Sequence, residues 1–427
     1  MIVIEFHHLV AFAVSLIVSF FATPIVCKLA MKVGAISIPN DSRRVHKKPM
    51  PLLGGLAIIA GFLLAAIYSF ATRDFNQFIH FISELKTIGI LIGTIIITIL
   101  GVIDDIRPLR ARVKFPIQLI AAIIVVATGT KITTLSKPFL DSVAMHPNMM
   151  FLLSDILAFI VSVVWIVGLT NAINLIDGLD GLAAGVSGIA AITLFIVSVI
   201  RGQDDTAIVA VTLIGAIAGF LPYNFNPAKI FMGDTGATFL GFVLAILSIE
   251  GTMKSVTVLS MAIPILVLGL PIFDTMFAIV RRVLHGKPIA QADRGHLHHR
   301  LLDMGLSHRM AVTILYIVSA ALGVVSIAIV DKGLLPSTIL IIIIVVFGLG
   351  GARNLKEINT NSDQDYKCEN PDEAKKPIED DTLEKEKDEE TLIDDGLNNA
   401  QLEAASGQKE FEETCIDEKP MKNNVDK

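Results

Sequence analysis

Three cysteines in 427 residues, Cys27, Cys368 and Cys415, stand too far apart for a metal knuckle or a disulfide framework. Charge is scarce too: 18% of residues are charged, 53% are hydrophobic and mean hydropathy is +0.67. That balance excludes an ordinary water-soluble domain and a wholly disordered chain. Nor is there a basic excess to suit nucleic acid, because 35 Lys+Arg face 41 Asp+Glu for a formal net charge of −6. The first eight residues lack the basic start of a secretory leader, and the apolar run behind them exceeds a leader's core, so it reads as a retained membrane helix. The internal repeats that mark inverted-repeat transporters are missing as well.

What the chain has is hydrophobic length. A bilayer core needs roughly 20 apolar residues per helix. Eleven runs near that length lie at 9–30, 52–70, 85–103, 115–128, 151–170, 182–200, 206–221, 237–249, 256–273, 310–330 and 334–351, those at 115 and 237 being short. The expected architecture is an all-α, polytopic membrane protein with about eleven transmembrane helices. Lys and Arg alternate between loops, 17 in one set and 7 in the other. Basic loops stay in the cytoplasm, which puts the N-terminus outside and the C-terminus inside. Residues 1–351 read as a transmembrane catalytic domain; residues 352–427, with 11 basic and 23 acidic side chains and few aromatics, read as a disordered acidic cytoplasmic tail.

Carboxylates are costly near lipid, so the places where Asp collects are informative. Four segments stand out: 101–107 with Asp104 and Asp105; 171–181 with Asn171, Asn174, Asp177 and Asp180; 231–236 with Asp234; and 294–300 with His296, His298, His299 and Arg300. All fall in loops that the Lys/Arg distribution assigns to the cytoplasm. Asp104 and Asp105 close a hydrophobic run at the negative pole of its dipole and require a positive partner, either Arg107, Arg110 and Arg112 or a divalent cation. The 171–181 segment suits turns and a helix cap, or oxygen ligands for Mg²⁺ and hydrogen bonds to a sugar or nucleotide. Asp234, between glycines before an apolar run, suits a helix N-cap and, equally, an anion site at a helix N-terminus bridged by metal. The His-x-His-His pattern lacks a clean zinc spacing; flanked by Arg294 and Arg300, it reads as donors to phosphate oxygens or as plain surface histidines.

At these residues the sequence resembles the polyprenyl-phosphate N-acetylhexosamine-1-phosphate transferases of cell-envelope synthesis. Asp104-Asp105, the 171–181 segment, Phe225 to Gly236 and His296-Leu297-His298-His299 recur in the family's order, over about residues 9–350. The Pro39–Gly55 loop, with Arg43, His46 and Lys48, is similar to the family's first cytoplasmic loop. The resemblance implies that a lipid phosphate attacks the β-phosphate of a UDP-sugar, UMP leaves, and sugar-1-phosphate stays on the lipid as a diphosphate. It also implies Mg²⁺, with Mn²⁺ as a substitute. Leu297 interrupts the three histidines usual in translocases that take UDP-MurNAc-pentapeptide, so the loop resembles the GlcNAc group, whose members start wall teichoic acid or other surface glycans.

The expected partners are UDP-GlcNAc, undecaprenyl phosphate, the lipid bilayer and a second copy in a homodimer, at a cytoplasmic-face active site in the plasma membrane. Asp234, Asp177 and Asp105 are the expected metal ligands; Asp104, Asp105, Asp177, His298 and His299 the expected catalytic residues. Lys48, Lys114, Asn171, Asn174, Asp180, Asn226, His296 and Arg300 are expected to hold substrate. The family casts Asp104 as a base, yet a phosphate monoester's second pKa of roughly 6 leaves little proton to remove near pH 7, so positioning or metal binding is its larger expected task. A covalent aspartyl-phosphosugar route ranks second and predicts UMP release without acceptor. The non-enzyme alternative, a cation-coupled transporter, would carry its carboxylates mid-helix.

Overall fold

The computed structural model describes residues 5–38, 49–73, 84–132, 147–252, 259–285 and 295–332. The chain divides into two units, Met1–Leu334 and Leu335–Lys427. The second unit, and with it the acidic tail, lies outside the described residues, as do the run at 334–351, Lys48 and Arg294.

Twelve helices are described: α1 Phe6–Val33, α2 Gly55–Arg73, α3 Leu85–Ile106, α4 Ala111–Ala127, α5 Pro147–Ile176, α6 Leu182–Ile200, α7 Asp204–Asn224, α8 Gly233–Thr252, α9 Leu259–Val267, α10 Gly269–Leu284, α11 Leu297–Asp303 and α12 His308–Lys332. A two-residue antiparallel pair, β1 Ile36–Ser37 with β2 Met50–Pro51, pins the chain between α1 and α2. Helices are the form an apolar chain takes in lipid, because each backbone N–H and C=O is satisfied within its own segment. Hydroxyls follow the same rule: those of Thr23, Ser69, Thr94 and Thr170 donate to the carbonyl four residues earlier.

Eight of the described helices are long and apolar enough to cross a bilayer, nine spans if the bent pair α9 and α10 counts as one. The short run at 115–128 becomes α4, of 17 residues. The run at 237–249 is the middle of α8, whose 20 residues borrow length from a polar first turn. The run at 256–273, expected as a single span, instead bends by 81° between Val267 and Gly269. Pro271 accounts for the break: it has no N–H for the carbonyl of Val267, and its ring crowds that carbonyl.

Helix α8 sits in the middle, 94% of its apolar window buried, against 28% for α1, which turns Ile17, Phe21 and Ile25 outward. Lipid gives helices no hydrophobic reason to associate, so close packing by small residues does the work. Gly215 of α7 lies so near α1 that a Cβ there would meet the carbonyl of Phe12 at 2.5 Å. At one end of the bundle Gly101 of α3 presses against Thr235 and Gly55 of α2 against Gly236, leaving no room for a methyl at either place. Those contacts bring the end of α3 to the start of α8.

Candidate active site

A cavity of about 500 Å³ opens at that end, where α1, α3, α5 and α7 stop and α2, α4, α8 and α12 start. Its lining takes Asp104, Asp105 and Lys114 from one stretch, Asn174, Asp177 and Asp180 from the next, then Asp234, His299 and His308. Segments as far apart in sequence as Gly34 and His308 thus share one chamber, and the four clusters singled out in the sequence all reach it.

Asp105 solves its own electrostatic problem through tertiary contact. It ends α3, where the dipole is negative, but its carboxylate faces the positive start of α8. Oδ1 accepts from the Asp234 N–H at 2.8 Å; Oδ2 accepts from the Thr235 N–H at 3.0 Å and the Thr235 hydroxyl at 2.6 Å. Gly233, at φ 71°, lets the chain enter the helix beneath that carboxylate, and a Cβ there would collide with it. The anion expected at the start of α8 is therefore a side chain of the protein. The same contacts make Asp105 a support for Asp234, with three of its roughly four carboxylate lone pairs engaged by donors.

Asp104 has a different partner. Its Oδ1 accepts from the Leu109 N–H at 2.6 Å and its Oδ2 pairs with the Lys114 ammonium, which also donates to Asp234 Oδ2 at 2.5 Å. The positive charge expected beside the aspartate pair is thus Lys114 and a helix N-terminus rather than Arg107, Arg110 or Arg112. Asn174 also hydrogen-bonds the Asp234 side chain. Asp177 follows α5 directly; burial, reinforced by the charges of Asp234, Asp105 and Asp180, raises its pKa to about 8. Asp180 is held by the Asn226 amide at 2.9 Å and the Ala228 N–H at 3.1 Å, both on Oδ2.

Among the described lining residues five carboxylates stand against one lysine. The carboxylates offer oxygen ligands, which suit a hard divalent cation such as Mg²⁺. Asp104, Asp105 and Asp180 each accept a backbone N–H, whereas the side chains of Asp177 and Asp234 hold none among the described residues.

Other expected residues sit elsewhere. Asn171 donates to Gln118 Oε1 at 2.7 Å and to the Val167 carbonyl at 2.8 Å, a helix-to-helix bond away from the cavity. His296 is buried against Asp274, His298 is buried behind Gly178, and Arg300 is exposed. Burial, then the neighbouring His299, lowers the His298 pKa to about 3, so its ring is neutral at physiological pH and offers one N–H but no charge. Among the described residues of the loop, His299 alone lines the cavity.

Three residues escaped the sequence reading. Asn224 bonds the Gly181 N–H at 3.1 Å and the Ile230 carbonyl at 3.0 Å, tying two loops of the cavity together. His308 contributes from the start of α12. Asp274 was detectable as a lone carboxylate in a mostly apolar stretch, a costly place for a charge.

A second polar cluster, His7, His8 and Asp204, gathers at the opposite end. The Glu5 N–H donates to His8 Nδ1 at 3.2 Å, which leaves the proton of the neutral ring on Nε2, 3.0 Å from Asp204 Oδ1. His8 thereby shares in capping the first turn of α1.

The chain is similar to several known proteins. A family model described as glycosyl transferase family 4 matches residues 87–252. A probable undecaprenyl-phosphate N-acetylglucosaminyl 1-phosphate transferase of Bacillus subtilis is 44% identical over 342 residues, 79% of this chain and 89% of the relative. A decaprenyl-phosphate N-acetylglucosaminephosphotransferase of Mycobacterium leprae is 36% identical over 70% of this chain and 78% of its own length. An undecaprenyl-phosphate alpha-N-acetylglucosaminyl 1-phosphate transferase of Escherichia coli is 24% identical over 74% of this chain and 82% of its own.

Proposed function

Because the chain belongs to the polyprenyl-phosphate GlcNAc-1-phosphate transferases of glycosyl transferase family 4, membrane enzymes that move GlcNAc-1-phosphate onto a polyprenyl phosphate, we propose its particular substrates and site. The donor is UDP-GlcNAc, the acceptor undecaprenyl phosphate, and the products UMP and undecaprenyl-diphospho-GlcNAc. The reaction runs at the cytoplasmic face of the plasma membrane as a first step toward teichoic acid or another envelope glycan. Leu297, which breaks the histidine run, supports GlcNAc over MurNAc-pentapeptide.

The observation that carries this reading is the excess of carboxylates in a cavity that must accept two phosphorylated reactants. Like charges a few ångströms apart repel, and a low-dielectric site amplifies the repulsion. Asp177 and Asp234 would hold Mg²⁺, which when bound neutralises diphosphate charge and polarises its P–O bonds. Asp105 fixes the backbone that presents Asp234. Lys114 keeps Asp104 and Asp234 together and supplies a second positive charge at the same place. His299 and His308 face the cavity with ring nitrogens able to hydrogen-bond phosphate oxygens.

The test uses purified full-length protein with undecaprenyl phosphate, Mg²⁺ and, side by side, UDP-GlcNAc, UDP-GalNAc and UDP-MurNAc-pentapeptide, reading UMP. UMP is expected from UDP-GlcNAc, only when acceptor is present, and EDTA is expected to abolish it. Preference for another donor, or turnover undiminished by EDTA, would refute the assignment.

A further inference from the structure

Among its described residues the histidine loop reaches the cavity only through His299, and His296 and Leu297 are held from behind. Asp274, on α10 and 8% exposed, places Oδ2 2.9 Å from His296 Nδ1 and accepts the Leu297 N–H on Oδ1 at 2.8 Å. One carboxylate therefore grips both the side chain of His296 and the backbone that follows it. The His296 ring lies parallel to that of His298, 5.9 Å away with an interplanar angle of 8°. His298, 2% exposed, fills the space beside Gly178 so fully that no Cβ fits there, and Gly178 adjoins Asp177.

We propose that Asp274 is a positioning residue that clamps the histidine loop onto the turn bearing Asp177, setting where His299 and Asp177 meet the reactants. A buried carboxylate costs desolvation, and two directed hydrogen bonds offset that cost only in one loop geometry. The bond to His296 keeps the imidazole proton on Nδ1 and fixes the ring plane on which His298 stacks. His298 then transmits the placement to Gly178 by contact. The bend between α9 and α10 is what brings Asp274 beneath the loop.

The inference rests on the phosphotransferase reading, so the donor in its test is whichever nucleotide sugar the wild type consumes; failure of UDP-GlcNAc alone then leaves the clamp still open to judgement. In Asp274→Asn the amide still accepts from Leu297 but turns N–H groups toward His296 Nδ1, reversing the proton. The expected result is a fall in kcat of about 10- to 100-fold, as for other supporting partners of active-site histidines, with the donor KM unchanged. His296→Ala is expected to lose as much, and the double variant no more than either single one. Independently of turnover, carbethoxylation read by peptide mass spectrometry should find His296 and His298 protected in the wild type and reactive in Asp274→Asn. If Asp274→Asn fails to fold, His296→Ala carries the kinetic test. Wild-type kcat in these variants, additive losses in the double variant, or unchanged protection would overturn the clamp.

Discussion

The two adjacent aspartates at the end of α3 differ because their surroundings differ. Asp105 meets three donors at the head of α8, and Asp104 meets Lys114. Adjacent positions on a helix point about 100° apart, so neighbours in sequence rarely share a partner. The histidines divide in the same way. His299 faces the cavity while His298 is enclosed with its pKa pushed down to about 3, against 6.5 for the free side chain. Below pH 6.5 the unfolded chain takes up a proton at this residue that the folded one refuses until near pH 3, so stability falls as pH drops through that window. Thermal melts of detergent-solubilised protein from pH 7.5 to 4.5 should therefore show a steeper loss for the wild type than for His298→Gln. Equal slopes would mean that the ring is solvated.

Elements meet closely because of small residues, and the site inherits its dimensions from those contacts. Gly101 lets the last turn of α3 lie on the first turn of α8, which aligns Asp105 with the Asp234 and Thr235 amides. Gly101→Val must drive the two helices apart. A displacement of order 1 Å at a reacting group costs about 100-fold in rate, so this variant is expected to lose at least that in kcat although it removes no polar group. Retention of turnover above a tenth of wild type would show that α3 can shift without penalty. The bend at Leu268 is a second case: α10 leaves the direction of α9 by 81°, and a carboxylate on an apolar run arrives beneath the histidine loop.

At the scale of the molecule, every described helix end that lines the cavity lies on one face of the bundle. Ser37→Cys and Leu109→Cys, made after Cys27, Cys368 and Cys415 are replaced, should react with a membrane-impermeant maleimide only in inside-out vesicles. Gln203→Cys, between α6 and α7, should react only in right-side-out ones. Labelling of all three from one side would break the topology. The apolar runs made the membrane architecture readable, since each registers a free energy of transfer that the segment experiences alone. The aspartate clusters were readable for the same reason: a carboxylate near lipid is expensive wherever the chain goes next.

What composition could not convey was pairing. That Lys114 joins Asp104 to Asp234, that Asp105 caps a helix more than a hundred residues away, and that Asn171 serves a helix contact instead of the cavity all depend on which helix ends become neighbours. Hydrophobic length, loop charge and the clustering of aspartates were written in the order of the amino acids, because each is a local property of solvation. The partners of those residues, the break between α9 and α10 and the burial of His298 were decided by tertiary packing, because they depend on close contacts between segments that are distant in the chain.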